Sequence, residues 1–159
     1  MVRRALPLLI ATALLAPSGA LAMEMDSGSP EHVADALAAL QAHKNASARM
    51  HLKEAIATMA EPKAARDHAK EALAALKAGK RAMAIDHATN GAAVEHLTYA
   101  LAAEQAAKTK TARGHLMEAR DLKPYKKLAT RALAELDAGH RATAIALTRK
   151  ALAQAVAAD

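Results

Sequence analysis

Asp67–Ala88, DHAKEALAALKAGKRAMAIDHA, is the stretch whose reading decides the fold. On both sides of Gly79 it consists of Ala, Leu, Lys, Arg and Glu, the strongest helix formers. Gly79 stands where a helix C-terminus favours a left-handed residue. The stretch therefore reads as helix, tight turn and helix, a single hairpin. One histidine opens the first helix, His68, and another lies inside the second, His87, 19 residues later.

Sliding the chain against itself recovers the same unit elsewhere. Residues 31–55 match residues 95–119 at 15 of 25 positions without a gap, and residues 71–85 align with 131–145. The expectation is four hairpins, at about 31–60, 63–90, 92–122 and 125–157, arranged as a duplicated pair. Pro62 and Pro124 mark hairpin boundaries near the first turn of the next helix. Asn90-Gly91 reads as a break between the second and third hairpins, with a continuous kinked helix as the alternative. No segment alternates β-branched residues as a strand would. The fold class is all-α: antiparallel helical hairpins forming a bundle over 31–159, with halves of about 31–90 and 92–158. Val33, Leu37 and Leu40 form an apolar stripe on one helix, and Ala48, Leu52, Ala55 and Met59 on its partner. Met50, Met59, Met83 and Met117 are expected to fill gaps in the core.

Ahead of the hairpins, Arg3 and Arg4 precede an apolar run, a Pro-Ser-Gly break and Ala20-Leu21-Ala22. This is the pattern of a signal peptide over 1–22, cleaved near Ala22. Its apolar core is short of the roughly 20 residues a membrane span needs. A flexible lead-in follows over 23–30, in which Ser29 and Pro30 prepare a helix start. A periplasmic or secreted location is expected, with no membrane span after cleavage. The chain has no cysteine, which excludes thiolate chemistry, Fe–S clusters and c-type haem attachment. Of its 159 residues, the 137 after the leader carry 20 basic and 16 acidic side chains, the leader holding Arg3 and Arg4. Basic and acidic residues are interspersed, and there is no Phe or Trp to stack on bases, so nucleic acid is not expected as a partner. No nucleophile elbow, phosphate loop or H-E-x-x-H motif occurs, and no enzymatic activity is expected.

The 19-residue interval recurs as His32–His51, His68–His87 and His96–His115; in the fourth hairpin the two places are Leu128 and Leu147. Both positions change together, as residues sharing an environment would. With the turn at Gly79, the axial mismatch of His68 and His87 is about 4.5 Å, and antiparallel helices lie about 8–10 Å apart. Two inward imidazoles can then meet at one ion, and imidazole suits Cu(II), Ni(II) and Zn(II). The leucines of the fourth hairpin equally fit a position that merely packs. Glu54 and Glu118, three residues after His51 and His115, are candidate auxiliary ligands, though they also read as solvated carboxylates. Met23 and Met25 offer thioethers suited to Cu(I). His43 and His140 fall at turns and are expected to be exposed.

His68-Ala69, Glu71-Ala72, Gly79 and Asp86-His87-Ala88 together resemble the repeat of the periplasmic small metal-binding protein family, most clearly over 67–88 and through the internal repeats over about 31–119. That resemblance implies a His-rich, cysteine-free helical bundle that binds copper and other divalent ions. Members carry further histidines midway along the first helix and just after the turn. Here those places hold Ala39, Ala75 and Ala103, and Lys44, Lys80 and Lys108; only His140 keeps a histidine after the turn. Fewer ions, weaker binding, or the scaffold alone are all compatible with that departure, since a lysine beside a cation site opposes occupancy.

The functional expectation is non-catalytic binding or buffering of divalent transition metals through His32, His51, His68, His87, His96 and His115, copper first, then nickel or zinc. Binding through neutral imidazole should weaken as pH falls through about 6.5. The alternative is a helical-repeat scaffold that binds another envelope protein without metal. It would be favoured by paired imidazoles more than about 10 Å apart, because His–metal bonds are only about 2 Å long.

Overall fold

The computed structural model describes residues 31–58 and 62–158. The expected leader, the lead-in with Met23, Met25, Ser29 and Pro30, and Met59 lie outside the described residues. Every regular element among the described residues is helical: α1 His32–Gln41, α2 Asn45–Ala57, α3 Lys63–Lys77, α4 Arg81–Gln105, α5 Thr109–Asp121, α6 Lys126–Asp137 and α7 Arg141–Val156. None of these helices is long and apolar enough to cross a membrane.

Four of the connections are three-residue turns with one design. The middle residue takes the left-handed conformation: His43 (φ 59°), Gly79 (φ 73°), Ala107 (φ 59°) and Gly139 (φ 80°). The next backbone N–H then reaches back to a helix carbonyl, Lys44 to Ala39, Lys80 to Ala75, Lys108 to Ala103 and His140 to Glu135, at 2.8–2.9 Å. Glycine suits that place at two turns. His43 and Ala107 adopt it with a Cβ, at a local cost of about 1–2 kcal/mol each. These tight turns fold α1 against α2, α3 against α4, α4 against α5 and α6 against α7.

Asn90 and Gly91 do not break the chain. They lie inside α4, a continuous helix of 25 residues that packs against α1, α3, α5 and α7. Packing explains the glycine: a Cβ on Gly91 would stand 2.7 Å from Val33 Cγ1 and 3.2 Å from His68 Cβ. Only a residue without a side chain lets α1 and α3 approach α4 so closely, which outweighs the loss of about 1 kcal/mol in helix propensity. Asn90 is used as well. Its Oδ1 accepts a hydrogen bond from the Tyr125 hydroxyl at 2.9 Å, and its Nδ2 donates to Ala158 O at 3.3 Å. The Asn-Gly pair thus ties the C-terminal end to the central helix.

The core is mostly alanine, with Leu40, Leu52, Leu97 and Leu116 fully buried and Tyr99 and Tyr125 its largest side chains. Val33, Leu37, Leu40, Ala48, Leu52 and Ala55 are buried, as the stripes predict. The methionines differ from expectation: Met50, Met83 and Met117 are 51%, 47% and 41% exposed and fill no core gap. In so alanine-rich an interior the helices approach closely, and little space is left for long side chains. Two arginines stitch consecutive parts together. Arg81, at the start of α4, donates to Leu40 O at the end of α1; Arg141, at the start of α7, donates to Glu104 O and Gln105 O at the end of α4. Each guanidinium meets carbonyls that a helix terminus leaves without an intrahelical donor.

Candidate metal-binding site

All six histidines of the 19-residue pairs come together two by two, and each pair collects carboxylates. The first cluster is His32, Asp35 and His51; the second is His68, Glu71 and His87; the third is Glu31, His96, His115 and Glu118. Within each, one ligand atom per residue lies within 4.8 Å of all the others. Ring centroids are 6.5 Å apart for His68–His87 and 6.1 Å for His96–His115.

Helix periodicity builds most of each cluster. Asp35 and Glu71 follow His32 and His68 by three residues, so each acid shares a helix face with its histidine. Glu54 and Glu118 follow His51 and His115 in the same way. Glu54 Oε2 lies 3.7 Å from His32 Nδ1 and 3.2 Å from His51 Nδ1. Glu71 Oε2 bridges His68 Nδ1 at 3.5 Å and His87 Nδ1 at 3.1 Å. The third pair has Tyr99 where Asp35 and Glu71 stand in the others, its ring 5.5 Å from that of His115. The missing acid is supplied from another part of the chain: Glu31 Oε1 lies 3.5 Å from His96 Nδ1 and 3.2 Å from His115 Nδ1. Glu31 is held in place because the buried Glu95 carboxylate accepts hydrogen bonds from Val33 N and Ala34 N, at 2.8 and 2.9 Å.

Whether these donors fit a metal ion is tested by their nitrogens. Nδ1 of His51, His68, His96 and His115 is buried without a hydrogen bond, although a carboxylate oxygen stands nearby. For His68 the tautomer can be assigned. Its Nε2 lies 3.2 Å from Ala155 O, a carbonyl that can only accept, so Nε2 carries the proton. In the neutral ring Nδ1 is then a bare lone pair facing the Glu71 carboxylate, an arrangement a cation resolves. A backbone carbonyl orienting the far nitrogen is also the usual outer partner of a ligating histidine. Metal–ligand bonds of about 2.1 Å give ligand-to-ligand edges of roughly 3.0 Å at right angles and 3.4 Å at tetrahedral angles. The observed nitrogen–oxygen separations of 3.1–3.7 Å fall around those edges. The residues present fit an ion.

Electrostatics single out the third cluster. The two histidines, His115 foremost and then His96, hold the Glu31 carboxyl down at about 2 against the opposing effect of burial. For His96, burial disfavours the charged ring, yet Glu118 and Glu31 outweigh it and raise the imidazole to about 9. His96 is therefore protonated at neutral pH in the metal-free protein, and an ion entering this cluster must displace that proton.

Lys44, Lys80 and Lys108 sit at the turns, seven residues before His51, His87 and His115, or about 10 Å along the helix. At that distance in solvent their charge is largely screened. His43 and His140 are exposed at turns, and His140 Nδ1 meets Glu135 Oε2 at 2.9 Å. Sequence reasoning missed Asp35, Glu71 and Glu31. The first two carried a signal, the three-residue step after a paired histidine. Glu31 carried none, since it joins His96 only through tertiary docking of α1 on α4. No protein-family model, curated protein or solved structure matches the chain.

Proposed function

We propose that this protein binds or buffers divalent transition-metal ions, without catalysis, in an exported compartment of the cell. The observation that carries this reading is the convergence of three histidine pairs, each with at least one carboxylate, on ligand atoms within 4.8 Å of one another. Two imidazoles and one or two carboxylates suit borderline ions, so Cu(II) is the preferred cargo, with Ni(II) and Zn(II) next. The ions are cargo held by His32, Asp35 and His51, with Glu54 alongside; by His68, Glu71 and His87; and by Glu31, His96, His115 and Glu118.

The same reading makes the chain four tandem hairpins, a duplicated pair, in which the second and third share α4. The likeness of the hairpin to the periplasmic small metal-binding proteins supports this, as does the export signal in the sequence. The scaffold alternative expects separated histidines, and the 6.1–6.5 Å ring separations speak against it.

Calorimetric titration of the protein lacking its leader with Cu(II), Ni(II) and Zn(II) tests the proposal. Binding should be at least about tenfold tighter than to a variant with His32, His51, His68, His87, His96 and His115 replaced by alanine, a difference of about 1.4 kcal/mol. Equal binding by the two proteins rejects it.

A further inference from the structure

The fourth hairpin reverses the charge of the site instead of merely losing it. Leu128 and Leu147 stand where the other copies have histidine. The place three residues after the first of these holds Asp35 and Glu71 in the first two copies and Arg131 here. Three residues after the second, Glu54 and Glu118 are matched by Lys150. The place just before the first histidine, Glu31, Asp67 and Glu95 in the other copies, is Lys127. At each of these three places an acid of the earlier copies has become a base.

These substitutions surround a real recess. A cavity of about 290 Å³ between α6 and α7 is lined by Pro124, Lys127, Leu128, Arg131, Lys150 and Gln154. None of its lining residues is acidic, and among the described residues none of the three cations has a carboxylate within ion-pair distance. Lys127 and Arg131 are one helical turn apart on α6 and share a face, and Lys150 faces them from α7. Leu128 lines the recess and is half-buried, which excludes water from one side and strengthens any charge interaction above it. Cations from two helices, a guanidinium among them, around an apolar floor make a recess that favours a small multivalent oxyanion, with Gln154 able to donate a further hydrogen bond.

We propose that this recess of the fourth hairpin is an anion site for an oxyanion of the phosphate kind, held by Arg131, Lys150 and Lys127. The site does not depend on the histidine clusters binding metal, because it shares no residue with them.

The test is calorimetric titration of metal-stripped protein with inorganic phosphate at low ionic strength. A chelator removes bound metal and gel filtration then removes the chelator, so that it does not compete as an anion. One phosphate should bind per chain, and the double variant Arg131→Gln/Lys150→Gln should bind about tenfold more weakly. The charge-matched variant Lys53→Gln/Lys110→Gln, altered at exposed positions elsewhere, should bind as the parent does. Arg131 and Lys150 are exposed, so circular dichroism should show both variants folded. Absence of phosphate binding overturns the proposal, and so does an equal loss in the two variants, which would mean diffuse attraction to a basic protein.

Discussion

The Glu95 carboxylate on α4 accepts a hydrogen bond from the backbone N–H of Val33 on α1 at 2.8 Å, across 62 residues of chain. With the second bond from Ala34 N, it satisfies two of the donors that the start of α1 leaves free. It also sets Glu31 beside His96 and His115, so one buried acid serves both the fold and the third cluster.

Replacing Glu95 by alanine should therefore lower stability by about 1–2 kcal/mol, the usual loss of a helix N-terminal cap. It should also weaken metal binding at the third cluster while leaving the other two intact. Chemical denaturation and a titration that resolves the three sites check both parts. Uniform weakening of all three clusters would contradict the positioning role of Glu95.

Leucine in the fourth hairpin predicts how the clusters can be silenced. His68→Leu with His87→Leu should keep the helical content and remove one binding equivalent, because the matching leucines, Leu128 and Leu147, pack against the core. Circular dichroism and metal stoichiometry give the readout. One contact bears watching: His68 Nε2 donates to Ala155 O, and losing that bond leaves a buried acceptor, at a cost of about 1–3 kcal/mol.

The third cluster should give the metal-free protein a bounded pH optimum. His96 is raised from 6.5 to about 9, so its contribution is complete below 6.5 and is lost as pH rises through about 9. Glu31 is lowered from 4.5 to about 2, so its contribution is complete above 4.5 and is lost as pH falls through about 2. Both act fully between about 4.5 and 6.5. Unfolding free energy followed against pH should decline on the alkaline side, and His96→Leu should flatten that decline. A metal ion bound here should release a proton at neutral pH, visible as a buffer-dependent heat of binding.

Ala107→Gly should stabilise the protein by about 1 kcal/mol, because Ala107 holds φ 59° at a turn where Gly79 and Gly139 occupy the matching places. Thermal unfolding measures it, and a lowered midpoint would show that the turn depends on the alanine methyl for packing.

How much of this was legible follows from the range of each interaction. The helices, the three-residue turns at Gly79 and Gly139 and the pairing of the histidines depend on neighbours within one hairpin, and the sequence spacing carries them. Asp35 and Glu71 depend on a helix face and could have been read in the same way. Gly91 misled, because Asn-Gly signals a turn locally, whereas here its value is the close approach of Val33 and the His68 Cβ. Glu31 and Glu95 were illegible for the same reason: their partners are more than 60 residues away and meet only when α1 docks on α4. The exposed methionines escaped prediction because an alanine core excludes long side chains instead of recruiting them.

The most direct test of the central claim is anomalous scattering from crystals grown with Cu(II) or Zn(II). Three ions are predicted per chain, each within about 2.0–2.2 Å of Nδ1 of both histidines in a pair, with none between Leu128 and Leu147. Crystals that bind no ion at the three pairs, or that hold ions only at exposed residues such as His43 and His140, would contradict it.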